Sequence, residues 1–144
     1  MAISSGGGHW VQLLRLRPAF GGCQVTYVSV LDAYRSDVPG ERFRRVPDAT
    51  RWNKLRLIWL VLTLFWLIVR IRPNVIITTG AAPGYLAIRI GKLIGARTIW
   101  IDSIANVERL SLSGSKIGRH ADLWLTQWEH LASDGGPRFA GSVL

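Results

Sequence analysis

Val75-Ile76-Ile77-Thr78-Thr79-Gly80-Ala81-Ala82-Pro83-Gly84 contains the fold in miniature. A β-branched apolar run, read as a strand over Val75 to Thr79, stops at a glycine, and a helix predicted from Pro83 to Ile94 follows. Working outward, the same alternation recurs. Upstream lies a long helix over roughly Trp52 to Ile71, stopped by Pro73. Downstream, Thr98 to Asp102 is a strand, a loop follows, and Asp122 to Thr126 is another strand, with Asp122 holding structure at its start. Gln24 to Val30 is β-branched and predicts a strand, whereas the polar, proline-bearing stretch Asp32 to Ala49 predicts a loop. Met1 to Ser4 is a candidate first strand leading through a glycine loop into a helix from about His9 to Leu16. Four residues are short for a central strand, so native residues upstream are expected. Phe139 to Leu144 is either a last strand or a tail that leaves the domain.

Apolar strands separated by helices imply an α/β fold, a Rossmann-like parallel sheet with helices on both faces. The 144 residues, 49% of them hydrophobic, suit one domain spanning 1–144. In such sheets ligands bind beyond the carboxyl ends of the strands. Those ends carry Ser5-Gly6-Gly7-Gly8-His9, Gly80 to Gly84, Asp102-Ser103 and Gln127-Trp128. The glycines of the first loop permit close backbone approach to a diphosphate, and His9 would stand at the mouth of the site as a base. A plain tight turn with an exposed histidine is the other reading. The third glycine of G-x-G-x-x-G would fall on Val11, and no G-K-[ST] occurs, so dinucleotide and P-loop readings weaken. Gly80 and Gly84 either keep the rim open for a bulky ligand or allow tight helix–strand packing. One cysteine, Cys23, excludes an internal disulfide, and a zinc cage lacks ligands; no metal and no cofactor are expected. No basic n-region leads into an apolar stretch, so no secretory signal is read.

The net charge of +9 is concentrated. Nine basic residues between Arg35 and Arg72 face only Asp37, Glu41 and Asp48, giving +6 in the stretch that brackets the most apolar run. Trp52, Trp59 and Trp66 are seven apart and share a helix stripe, with Arg56, Thr63 and Arg70 beside it and Leu57, Val61, Leu64 and Ile68 opposite. Indole and guanidinium suit the headgroup layer, so the helix at about 52–72 is expected to dock on an anionic membrane. A partner protein could instead meet these tryptophans. The uncharged run Leu57 to Val69 would be roughly 20 Å of helix against about 30 Å of hydrocarbon, too short to span. A nucleic-acid binder is disfavoured: the charge sits beside an apolar helix and no recognition motif is present.

Trp100-Ile101-Asp102-Ser103-Ile104-Ala105-Asn106-Val107, Leu110 to Gly114 and Ala121 to Trp128, ordered after S-S-G-G-G-H and V-I-I-T-T-G-A-A-P-G, resemble one family. It is the asparagine-linked-glycosylation-fourteen (oligosaccharide biosynthesis) family, in its bacterial exopolysaccharide branch. The resemblance implies the acceptor-side half of a GT-B glycosyltransferase split over two chains. The pair would transfer a sugar, N-acetylglucosamine or a related hexose, from a UDP-sugar to a polyprenyl-diphosphate-linked acceptor at the cytoplasmic face of the cell membrane. A separate donor-binding subunit is the implied partner. A non-catalytic membrane scaffold that recruits a glycosyltransferase is the alternative.

His9, as base or acceptor-positioning group, and Asp102 are the candidate catalytic groups, with Asp102 alternatively capping its loop. Ser5, Gly6, Gly7, Gly8, Gly80, Gly84 and Ser103 are candidate diphosphate or substrate contacts, and Gln127 and Trp128 rim residues for a partner or sugar. Asp102-Ser103 stands where the family usually has Glu-Ser, shortening the carboxylate by a methylene. Asn106 stands where it usually has Arg, and Arg109 is the candidate substitute for that charge.

Overall fold

The computed structural model describes residues 1–50 and 52–143; Arg51 of the basic stretch and Leu144 of the expected last strand lie outside the described residues. Among the described residues, seven strands form one all-parallel sheet: β1 (Ala2–Ile3), β2 (Thr26–Ser29), β3 (Arg42–Arg45), β4 (Val75–Thr78), β5 (Arg97–Ile101), β6 (Leu123–Thr126) and β7 (Arg138–Phe139). Their spatial order is β3-β2-β1-β4-β5-β6-β7. The chain therefore works outward from β1 to one edge, then returns to the middle and works outward to the other. Strand order reverses between β1 and β4, and the crevice at that reversal is where doubly wound sheets bind ligands.

The helices are α1 (Gly8–Arg15), α2 (Lys54–Ile71), α3 (Ala81–Leu93) and the short α4 (Gly114–Ile117). Strand side chains alternate between two cores. Ile3, Val28, Ile76 and Trp100 pack under α2, α3 and Ile117, while Ala2, Tyr27 and Phe43 pack under Trp10 and Leu13 of α1. Helices thus cover both faces, as expected. Although β1 is only two residues long, it is paired on both sides, Ile3 with Val28 and with Thr78, so position rather than length stabilises it.

Two sequence expectations need correction. The stretch Asp32 to Ala49 is not all loop: a 3-10 turn occupies Asp32–Asp37, and Arg42–Arg45 forms β3, in register with β2 from Thr26↔Arg42 to Ser29↔Arg45. Of R-F-R-R only Phe43 is buried. Charged residues along an edge strand discourage further pairing, and they also hide the strand from a hydrophobicity reading. On α2 the sheet-facing stripe is Leu60, Leu64, Leu67 and Ile68; Leu57 and Val61 are only half-buried. Asn53 caps this helix by accepting from the Arg56 N–H at 3.0 Å.

Candidate functional site

The crevice between β1 and β4 is built by two glycine-bearing loops that hold one histidine. After β1 the chain turns through Ser4 to Gly7. Gly7, the N-cap of α1, has φ 64 and ψ −136, a conformation that a side chain would strain. The Gly7 carbonyl accepts from the N–H groups of Trp10 and Val11 and so starts the helix. The Gly7 N–H donates to the Tyr34 hydroxyl at 2.8 Å, and Tyr34 is stacked on Trp10, 4.9 Å between centroids. Gly6 packs close to that hydroxyl, whereas space is open around Gly8. The three consecutive glycines therefore differ: Gly7 is needed for its dihedrals, Gly6 for its neighbour, and Gly8 for neither. The Ser5 carbonyl accepts from the Ser4 and Ser29 hydroxyls, which anchors the loop to β2.

His9 is the second residue of α1. Its Nδ1 lies 2.8 Å from the Thr79 carbonyl, and the Thr79 hydroxyl donates back to the His9 carbonyl at 2.7 Å. A carbonyl can only accept, so Nδ1 carries the proton and the neutral ring keeps its lone pair on Nε2. Gly80, at φ 122, forms the seat of this ring: a Cβ there would lie 2.9 Å from His9 Cε1. Ala81 follows at φ 64, a left-handed position rare outside glycine. Gly84 is elsewhere. It is buried in the α3–β4 contact, where a Cβ would collide with the Thr78 side chain, so its place in the fold is packing rather than the open rim.

The second polar centre lies beyond β5. Asp102 is 2% exposed and its carboxylate is fully engaged. Oδ1 accepts from Ser111 Oγ at 2.5 Å and Trp100 Nε1 at 3.3 Å; Oδ2 accepts from the Ser111 N–H at 2.8 Å and Asn106 Nδ2 at 3.4 Å. This is loop capping, the alternative role foreseen for it, and Asn106 is turned onto the same carboxylate. Ser103 is also buried, accepting from Gln12 Nε2 and the Ala105 N–H. Gln127 is not at an open rim. It is 4% exposed, donates to the Asp102 carbonyl and Gln12 Oε1, and accepts from the Val143 N–H. Trp128 is half-buried, its indole N–H donating to the Ile104 carbonyl at 2.8 Å. Arg109 is exposed.

Gln12, Tyr34 and Thr79 were not singled out in the sequence. Gln12 ties α1 to the loops after β5 and β6, because its Oε1 also accepts from the Ile104 N–H. A glutamine within an amphipathic octet carries no local signal of such a role. No cluster of three or more His, Cys, Asp or Glu able to hold a metal occurs among the described residues.

The third region is the outer face of α2. Trp59 and Trp66 of α2 are 66% and 62% exposed, and the Arg70 guanidinium lies over the Trp66 ring at 5.6 Å; Trp52, 81% exposed, was expected to start the same stripe but lies in the turn before the cap Asn53, outside the helix. Leu55, Ile58, Leu62, Phe65 and Val69 are exposed on the same helix. Their spacing of three and four residues makes one apolar face, wider than the tryptophan stripe alone, with Arg56 also exposed. Among the described residues no helix is long and apolar enough to cross a membrane.

The fold is similar to that of Acinetobacter baumannii MurG, with TM-score 0.77 and 10% identity over 96% of this chain but 45% of that one. UDP-GlcNAc 2-epimerase from Methanocaldococcus jannaschii is similar at TM-score 0.62 and 6% identity, covering 87% of this chain and 38% of that one. The chain thus spans less than half of either structure and has the fold of one Rossmann-like lobe of a GT-B architecture. No curated protein matches by sequence search. A family model described as "Oligosaccharide biosynthesis protein Alg14 like" matches residues 24–141. The glycine loop and His9 precede that match; β2 to β7, the apolar α2 and the Asp102 loop lie within it. With most of its length matched in this way, the chain belongs to the Alg14-like family of oligosaccharide biosynthesis proteins.

Proposed function

We propose that this chain is the acceptor-side, membrane-docking half of a two-chain glycosyltransferase. The observation that carries the reading is family membership: residues 24–141 match the Alg14-like oligosaccharide biosynthesis family, and the lobe they form is similar in fold to part of a GT-B structure. One lobe supplies one wall of a cleft, and in this reading a separate donor-binding subunit supplies the other. The pair transfers a sugar, N-acetylglucosamine or a related hexose, from a UDP-sugar substrate to a polyprenyl-diphosphate-linked acceptor.

The tautomer of His9 supports its role as base. Nε2 takes the proton of the acceptor hydroxyl as that oxygen bonds to the anomeric carbon and UDP departs. Backbone N–H groups at the start of α1, with Ser5 and Gly6 to Gly8, receive diphosphate oxygens. Asp102 and Ser103 act through the loop they fix, and Gln127 and Trp128 hold the neighbouring rim toward the partner.

The outer face of α2 supports docking on an anionic membrane at its cytoplasmic side. Burying a large apolar side chain is worth about 1.5–3 kcal/mol, and seven such residues from Leu55 to Val69 share this face. Even half-completed burial totals roughly 5–10 kcal/mol, enough for stable peripheral attachment.

Reconstitution tests both parts. The chain is combined with its candidate partner, anionic vesicles, a UDP-sugar and a polyprenyl-diphosphate acceptor. Transfer requires both chains; turnover by this chain alone refutes the two-chain reading, and full turnover by the partner alone turns it into a scaffold. Replacing Trp59 and Trp66 together by Ser moves the protein from sedimented vesicles to the supernatant, and unchanged sedimentation refutes docking through α2.

A further inference from the structure

The apolar face of α2 continues into a groove at the opposite end of the sheet from His9. Here α2 and α3 end and β4 and β5 begin. A shallow depression of 450 Å³ is lined by Phe65, Trp66, Val69, Arg70 and Arg72. A second of 750 Å³ shares Val69 and Arg72 with it and runs on past Asn74, Val75, Ile94 and Arg97. Their volumes are those of ligand sites, and together they join an apolar channel to a basic end.

We infer that this groove binds the headgroup of an anionic phospholipid, with Arg72 and Arg97 on its phosphate and its chains lying along Phe65, Trp66 and Val69. The inference rests on the docking reading of α2 and adds a specific ligand to it. Charge complementarity supports this occupant. Neither depression is lined by an Asp or Glu, and among the described residues neither Arg72 nor Arg97 has a carboxylate partner. The nearby acid Asp122 is paired with Lys92 and accepts from Thr98. Two helix C-termini border the groove and disfavour an anion, each with roughly half a negative charge. Three guanidiniums (Arg70, Arg72 and Arg97) outweigh them.

The backbone at Arg72 adds a second observation. It is the C-cap of α2, left-handed at φ 49, with its N–H donating to the Ile68 carbonyl at 2.8 Å. Glycine is the favoured residue at a left-handed helix end. An arginine there places a guanidinium in the groove against its backbone preference. The same feature supplies a clean variant, since Arg72→Gly suits the backbone and removes only the side chain.

The test uses dihexanoyl-phosphatidylglycerol below its micelle concentration, so that no membrane surface contributes. Saturable NMR shifts are expected at Arg72 and Arg97, weakened about tenfold in affinity by Arg72→Gly, the usual scale for losing a charge-assisted hydrogen bond. Arg45→Gln, on β3 at the sheet edge, removes equal charge and should change affinity less than twofold. Equal binding of dihexanoyl-phosphatidylcholine, equal binding of inorganic phosphate, or an Arg72→Gly affinity matching that of Arg45→Gln would each overturn the proposal. If vesicles are still bound in a Trp59- and Trp66-dependent way while the short-chain lipid is not, the headgroup site falls and docking stands. If no vesicle is bound at all, both fall.

Discussion

His9 and Asp102 follow strands of the same sheet, and a sequence reading makes both candidates for a base, His9 first. Their surroundings differ in one respect. His9 uses one ring nitrogen to hold its position on Thr79 and keeps the other, whereas both oxygens of Asp102 are engaged by Ser111, Trp100 and Asn106. On the proposed reading, the group held by half of its hydrogen-bonding capacity is positioned and still reactive, and the one held by all of it serves the loop.

Four substitutions or conditions sharpen or break that contrast. The largest effect is expected from His9→Ala, which should lower turnover of the reconstituted pair by about a hundredfold with the fold intact. Near-normal turnover would remove His9 from the mechanism. Next is Gly80→Ala, whose Cβ would press on the ring at 2.9 Å from Cε1 in an unfavourable backbone region. It should cost about 1–2 kcal/mol of stability and lower turnover roughly tenfold, because the imidazole must leave Thr79. Turnover that survives a measured stability loss would mean that the His9 seat is unimportant.

Asp102→Asn should show the opposite pattern. It turns an acceptor into a donor, opposite either the Ser111 N–H and the Asn106 amide or the Trp100 indole N–H, costing about 1–3 kcal/mol in urea unfolding while turnover of the folded pair changes little. A hundredfold loss of turnover at unchanged stability would reverse the two assignments.

The smallest effect concerns Asp122. Its carboxyl is held below the usual 3.8 by the hydrogen bond from Lys92, then by Thr98. A depressed carboxylate pKa stabilises the fold above the unfolded value and loses that contribution as pH falls through the folded one. Acid unfolding below about pH 4 should therefore be shallower in Lys92→Met than in the parent. Identical acid transitions would show that the pair contributes nothing there.

Much of this was readable along the chain. Val75 to Thr78, Thr98 to Ile101 and Leu123 to Thr126 announce themselves because buried parallel strands are apolar on both faces. β3 did not, since an edge strand keeps its pairing with one neighbour while its exposed residues remain charged. The tryptophan periodicity of α2 was plain, yet the packed stripe lay at Leu60, Leu64, Leu67 and Ile68. A helix apolar all round does not state which side meets the sheet. Gly80 and Gly84 look alike in the sequence, and the structure separates them: one seats an imidazole, the other lies against Thr78.

Sequence alone determined the strand–helix alternation, the glycine turn before α1 and the apolar, basic-flanked helix, because each depends on residues close together in the chain. Tertiary structure alone decided which nitrogen of His9 is free, that Gln127 is enclosed, and that Arg72 and Arg97 share a groove. Those properties depend on partners 25 to 70 or more residues away, brought together by a sheet whose order reverses between β1 and β4.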